Sequence, residues 1–394
     1  MDYKPFLASR TSRMDASAIR EILKVVSKPG MISLAGGIPA PESFPMSIMQ
    51  DLTNQVLKKY GSTAFQYDLT EGFQPLRQAL INHLENKGLL ATQNEILISS
   101  GSQGGLDALG KILISKGDKI AVEAPTYLGA IQAFNPYEPE YLQMETDSNG
   151  LIPESLEQIL QSEQIKFVYL VPTFQNPTGR TIPLARRQRI AELICRYDAL
   201  LIEDDPYGDL RYQGDAVPSI KSLAPEHVVY MGTLSKTFAP GLRIGYILAP
   251  ELIQHWLVLC KQGVDLHTST FNQALAAEYL SGGYLQAHLP NIIRLYKPRQ
   301  EAMLNALDQH FPSEFSWSRP EGGMFLWVEG PRGFDMEKLY QKAVQQNVAF
   351  VPGRFFYSQE NEGLETMRLN FTMTDEQTIE KAIKILAEVT RKVL

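Results

Sequence analysis

Val228-Val229-Tyr230-Met231-Gly232-Thr233-Leu234-Ser235-Lys236, followed by Arg243 in Gly241-Leu242-Arg243-Ile244-Gly245-Tyr246, is the stretch on which the reading turns. The apolar run 228–231 has the length of a buried strand, and a lysine stands just past its end among small hydroxyl side chains. A lysine attacks an aldehyde only once its amine has lost a proton, which burial and a cationic neighbour both favour. Serine, threonine and arginine are the donors that hold a phosphate. On these residues alone, a strand-end lysine in a polar loop reads equally well.

Working outward, the same arrangement recurs. Strand-length apolar runs are expected at 96–100, 119–123, 138–144, 166–172, 199–204, 227–232 and 243–248, with amphipathic segments such as 102–114 and 184–197 between them. Short, nearly all-apolar strands separated by helices predict an α/β fold with a largely parallel seven-stranded sheet covered on both faces. Ligands of such folds sit at the carboxyl ends of the strands. Ser100-Gly101-Ser102-Gln103-Gly104-Gly105, Ala124-Pro125-Thr126-Tyr127, Asn176-Pro177-Thr178-Gly179 and Asp204-Asp205-Pro206-Tyr207 all stand there. An amine beside a phosphate cradle suggests pyridoxal phosphate held as a Schiff base.

The glycine-rich turn at 100–105 lacks the spacing of a dinucleotide fingerprint. Gly105-x4-Gly110-Lys111 is no phosphate loop either, since Ile112 fills the serine or threonine position. Free N–H groups at a helix start suit a phosphate, although a tight turn that binds nothing fits the same residues. Tyr127 as a buried tyrosine, Asp-Pro as a turn signal and Arg368 as a surface arginine are the plain alternatives elsewhere. From about 290 the pattern changes: a long helix-like segment (283–309), strands at 324–329, 347–351 and 366–371, and helices at 336–346 and 374–393 predict a smaller α+β unit. The expected division is a large body at 46–289 and a small one built from 1–45 and 290–394, with a mobile N-terminal segment.

This ordered set, with Thr366-Met367-Arg368-Leu369-Asn370-Phe371 near the C-terminus, resembles the fold-type I pyridoxal-phosphate aminotransferases of class I/II over nearly the whole chain. Ser17-Ala18-Ile19-Arg20 and Met31-Ile32-Ser33-Leu34-Ala35-Gly36-Gly37-Ile38-Pro39-Ala40-Pro41 look like the kynurenine/2-aminoadipate aminotransferase branch. The resemblance implies that Lys236 holds the cofactor and moves a proton. It implies that Ser102, Gln103, Thr233, Ser235 and Arg243 serve the phosphate, and that Tyr127 stacks on the pyridine ring. Asp204, chosen over Asp205 by the family spacing, would keep the pyridine nitrogen protonated, while Asn176 and Tyr207 would donate to the phenolate oxygen. Arg368 would clamp the substrate α-carboxylate, with Asn176 and Gly37 beside it. Tyr67 would reach the phosphate of a neighbouring subunit, making a homodimer with shared sites. Arg20, on a short N-terminal helix over the substrate, would pair with a distal carboxylate. The reaction implied is ping-pong transfer of an amino group from 2-aminoadipate, leucine, an aromatic or a kynurenine-like donor to a 2-oxo acid such as 2-oxoglutarate. A lyase, decarboxylase or cyclopropane-forming synthase on the same scaffold would use the same constellation.

Composition agrees. The 394 residues are long enough for about two domains, and 44% hydrophobic with 21% charged residues is ordinary for a globular protein. A net charge of −7 argues against nucleic acid or an anionic membrane as partner. The six histidines have no metal-ligand spacing, so no metal is expected. No signal peptide and no membrane span is apparent; a cytoplasmic protein is expected. Cys195 and Cys260 read as buried thiols rather than a disulfide. A regulator carrying an aminotransferase-like domain behind a DNA-binding module is disfavoured, because the pattern starts within the first 40 residues.

Overall fold

The computed structural model describes residues 1–14, 22 and 28–394. Seven strands form the main sheet: β1 (Ile96–Ser100), β2 (Lys119–Glu123), β3 (Glu140–Met144), β4 (Ile165–Leu170), β5 (Leu201–Asp205), β6 (Val228–Thr233) and β7 (Ile244–Leu248). Their order is β1-β7-β6-β5-β4-β2-β3. All run parallel except β7, which is antiparallel to both neighbours. The reason is the connection at 234–243, too short for the crossover that a parallel pair needs. That short return carries both Lys236 and Arg243.

Every residue of β6 and β7 is buried, as expected for strands covered on two faces. Alternation divides the contacts. Val229, Met231, Ile202, Tyr169 and Ile247 share a core with Leu106 and Leu109 of helix Gly101–Leu113. Tyr230, Ile96, Ile98 and Tyr246 turn to Leu76 and Leu80 of helix Gln74–Glu85 and to Tyr279 of helix Thr270–Ser281. Val168, Leu201 and Val228 meet Ile190 and Ile194 of helix Leu184–Arg196.

A second, antiparallel sheet contains β8 (Ser316–Trp317), β9 (Phe325–Glu329), β10 (Val351–Pro352) and β11 (Thr366–Asn370), in the order β8-β9-β11-β10. The long helix Tyr284–His310 and the helices Met336–Gln345 and Glu376–Arg391 belong to this part of the chain. Asp335 and Asp375 begin the last two by accepting the backbone N–H groups of Lys338 and Thr378. The strand expected at 347–351 is divided. Val348–Ala349 pairs with Ile32–Ser33, and β10 pairs with β11, so two short ladders stand where the apolar run reads as one.

The two cysteines are free thiols, as read from the sequence, but their expected burial is corrected: Cys195 is exposed and Cys260 half-buried. Leu193 and Ile194 complete the buried stripe of their helix, and the next residue, about 100° further round, leaves it. Among the described residues no helix is long and apolar enough to cross a membrane.

Candidate active site

The carboxyl ends of β1, β2, β4, β5 and β6, the start of β7 and the strand β11 converge on one place. Lys236 is half-buried, and its Nζ donates to the Gly37 carbonyl at 3.2 Å. Burial first, then Arg243 and Arg368, bring its pKa down to about 8. An ordinary lysine amine is almost wholly protonated at neutral pH, whereas this one has an appreciable free-base fraction.

Arg243 adopts a left-handed backbone, φ 55°, uncommon for a residue with a side chain. Its Nη2 donates to the Ser100 carbonyl at 3.3 Å and its Nη1 to Pro240 at 3.4 Å. Gly245 lies against the start of helix Gly101–Leu113. A Cβ there would sit 2.5 Å from the Gly101 carbonyl carbon and 2.6 Å from the Ser102 nitrogen, so only glycine lets strand and helix end approach. The first-turn N–H groups of that helix have no intrahelical acceptor, and its first residue, Gly101, lies against the Arg243 guanidinium. Thr233 Oγ is 2.9 Å from Ser235 Oγ and 3.0 Å from the Ile244 carbonyl, so it braces the turn. Gln103 spends its side chain on the Gly129 carbonyl (2.6 Å) and the Tyr127 hydroxyl (3.4 Å), fixing the loop that carries Tyr127.

At the base lies Asp204, 2% exposed. Its Oδ2 accepts the Tyr169 hydroxyl at 2.8 Å, and its Oδ1 is buried with no partner among the described residues. Burial raises this carboxyl to about 7; the tyrosine works against that rise and Asp205 adds to it. Asp205, next along the strand, points to the other face. It accepts from Tyr230 at 2.8 Å and the Gly208 N–H at 2.9 Å, and pairs with Lys87 at 3.6 Å. The neighbouring carboxylates are thus distinguished: one is fully engaged, the other keeps an open acceptor.

Asn176 links two sides of the site. Its Nδ2 donates to the Tyr207 hydroxyl at 3.3 Å, and its Oδ1 accepts Arg368 Nη1 at 2.7 Å. Arg368 is 1% exposed and also donates Nη2 to the Ala35 carbonyl at 2.8 Å. Its guanidinium lies 4.4 Å from the Phe325 ring and 5.0 Å from that of Phe356. No carboxylate of the described residues pairs with it, its Nε is unpartnered, and burial brings its pKa down to about 10. A Cβ at Gly37 would lie 3.1 Å from Phe325, so glycine keeps the ring close to Arg368.

Ser102, Tyr127, Asn176, Asp204, Tyr207, Ser235, Lys236, Arg243, Arg368 and Gly37 therefore share one site. Tyr67 does not join them: it is 78% exposed, with its ring edge-on to His267. Arg20 lies outside the described residues. Sequence reading missed Tyr169, Phe325 and Phe356, whose places depend on which strands become neighbours.

The chemistry of this donor set fits pyridoxal phosphate: an amine of lowered basicity, N–H groups and a guanidinium for a phosphate, and a buried carboxylate oxygen awaiting a donor. Residues 31–386 match the family model of aminotransferase class I and II. The chain is 46% identical to aromatic-amino-acid aminotransferase 1 of Thermococcus litoralis, over 100% of this chain and 95% of that one. The chain belongs to the class I and II aminotransferases. Among solved structures, the aminotransferase resembles a kynurenine aminotransferase of Pyrococcus horikoshii in complex with PMP. That likeness has 45% identity and a TM-score of 0.96, over 100% and 98% of the two chains. It also resembles the α-aminoadipate aminotransferase of Thermus thermophilus complexed with N-(5'-phosphopyridoxyl)-L-leucine. Here the identity is 37% and the TM-score 0.92, over 100% and 99%. It is a pyridoxal-phosphate enzyme of fold type I.

Proposed function

We propose that this aminotransferase takes its amino group from an α-amino acid with an acidic, branched apolar, aromatic or kynurenine-like side chain. The acceptor is a 2-oxo acid such as 2-oxoglutarate, in a ping-pong cycle. Arg368 carries the reading. A guanidinium 1% exposed with no carboxylate partner is costly until a counter-ion arrives. The planar fork suits the α-carboxylate common to amino and oxo acids, while Asn176 and the Ala35 carbonyl hold it in place.

Bound pyridoxal phosphate supplies an electron sink for the bonds at the substrate Cα. Lys236 would hold it and would carry a proton to and from the substrate Cα; an amine brought down to about 8 suits both tasks. An ionised Asp204 would favour a proton on the ring nitrogen, Asn176 and Tyr207 would donate to the phenolate oxygen, and Tyr127 would stack on the ring. Ser102, the Gln103 N–H, Ser235 and Arg243 serve the phosphate, with Thr233 bracing their turn.

Tyr67, exposed together with Phe65 (67%) and Leu69 (57%), supports a homodimer in which one subunit completes the other's site. The proposal includes a larger body at 46–289, a smaller one at 1–45 and 290–394, and a cytoplasmic location. Borohydride reduction and peptide mapping should place the label on Lys236; a label on Lys221 or Lys261 would refute the assignment. Bleaching of the cofactor absorbance, donor by donor, ranks the amino acids. Failure of every donor of these four classes would remove the substrate reading. Lys236→Ala subunits mixed with Tyr67→Phe subunits should regain partial activity, and a fully active monomer would exclude the shared site.

A further inference from the structure

We infer that Tyr169 is a positioning residue for the reaction, whose hydroxyl tethers one oxygen of the Asp204 carboxylate, favours its ionised form and leaves the other oxygen open as an acceptor. The inference rests on the reading of Asp204 given above. Tyr169 lies on β4, the neighbour of β5, and is fully buried. Its hydroxyl is the one donor to Asp204 among the described residues, at 2.8 Å from Oδ2. With Oδ2 tethered, Oδ1 is left as a buried acceptor with no partner among the described residues. Phe134 packs edge-on against the tyrosine ring at 5.9 Å, and the rest of the buried core encloses it. Burial and the carboxylates of Asp204 and Glu123 keep this phenol protonated, so it serves only as a donor.

A carboxylate in an apolar interior tends to take up a proton, and a donor to the charged form opposes this. The titratable groups around Asp204 are Tyr169 on β4 and Tyr127 and Tyr207 on the flanking loops, with Asp205 acting from the opposite face of its own strand. Asp205 opposes ionisation, and each tyrosine, if ionised, would do so as well. Tyr169 is therefore the group that favours the charge, and without its hydroxyl the Asp204 carboxyl would rise further still.

The test uses the cofactor-loaded enzyme and two neighbours of the same carboxylate. Tyr169→Phe removes one oxygen and keeps the ring. Its kcat is expected to fall roughly ten- to a hundredfold at pH 7, the range of a lost hydrogen bond to a charged group. The acid limb of its pH–rate profile should move up by about one unit, tenfold in proton concentration. The absorbance of the bound cofactor should titrate with the same shift, and its dissociation constant should rise. Phe134→Leu loosens the packing and leaves the hydroxyl, so it should lower the melting temperature without moving the acid limb. An unmoved acid limb in Tyr169→Phe, equal movement in both variants, or a Tyr169→Phe chain that cannot fold would each overturn the inference. Asp204→Asn separates the underlying reading. If it keeps wild-type turnover and cofactor spectrum, the role of Asp204 falls. If it is crippled while Tyr169→Phe behaves as wild type, only the role of Tyr169 falls.

Discussion

Two groups of charges meet at Asp204 and Asp205, and they are built in opposite ways. On the face of Asp205 every charge has an internal partner. Lys87 pairs with Asp205 at 3.6 Å and with Asp209 at 3.1 Å, His83 approaches Asp209 at 4.0 Å, and Tyr230 donates to Asp205. On the face of Asp204, among the described residues, Lys236, Arg243 and Arg368 bond only to neutral oxygens and Asp204 Oδ1 has no donor. Buried charges satisfied internally hold elements together. Those left open cost stability and wait for a ligand of opposite sign. The second group therefore belongs to the reaction and the first to the fold.

The sharpest break of this contrast is Arg368→Lys. An ammonium keeps the charge and loses the fork, so kcat/KM should fall roughly tenfold to a hundredfold or more, with melting temperature little changed. Steady-state kinetics and a thermal melt check it; a large loss of stability with normal kinetics would move Arg368 to the structural group. Lys87→Met should do the reverse. Removing one partner leaves Asp205 and Asp209 facing each other and should cost about 2–3 kcal/mol, discounted because Lys87 is 25% exposed. Turnover per folded, loaded enzyme should stay within about twofold. Lys87 holds Asp209 below the ordinary carboxylate value. That contribution is full above about pH 4 and vanishes as pH falls through the lowered value, so the deficit should shrink in acid. The smallest effect concerns Asp204 in the cofactor-free protein. Its carboxyl titrates near 7 when folded against 3.8 ordinarily, so the folded state binds the extra proton and stability falls as pH rises between those values. Asp204→Asn should thus melt roughly 2 °C or more above the wild type at pH 8, with the gain fading toward pH 4. A gain independent of pH would show that the carboxylate is not strained there.

The positions of Lys236, Asn176, Asp204 and Arg368 were legible because local periodicity marks where a buried strand stops, and ligand chemistry in an α/β fold gathers at such stops. The motifs also appear in family order, which selected Asp204 before any face could be assigned. Two readings failed where local pattern has no access to neighbours. Cys195 looked buried because its helix is apolar just before it, yet it falls one step outside the stripe. The run 347–351 looked like one strand, yet two different partners divide it.

By itself, then, the sequence determined the succession of strands and helices and the chemical inventory at the strand ends, since apolar periodicity and turn residues act over a few positions. Tertiary structure decided the rest. It turned β7 antiparallel across the short 234–243 return, gave Tyr169 to Asp204 and Lys87 to Asp205, and left Arg368 without a counter-ion among the described residues. Such pairings join residues far apart in the chain, and their energies depend on burial and on the face a side chain takes, which exist only once the sheet has assembled.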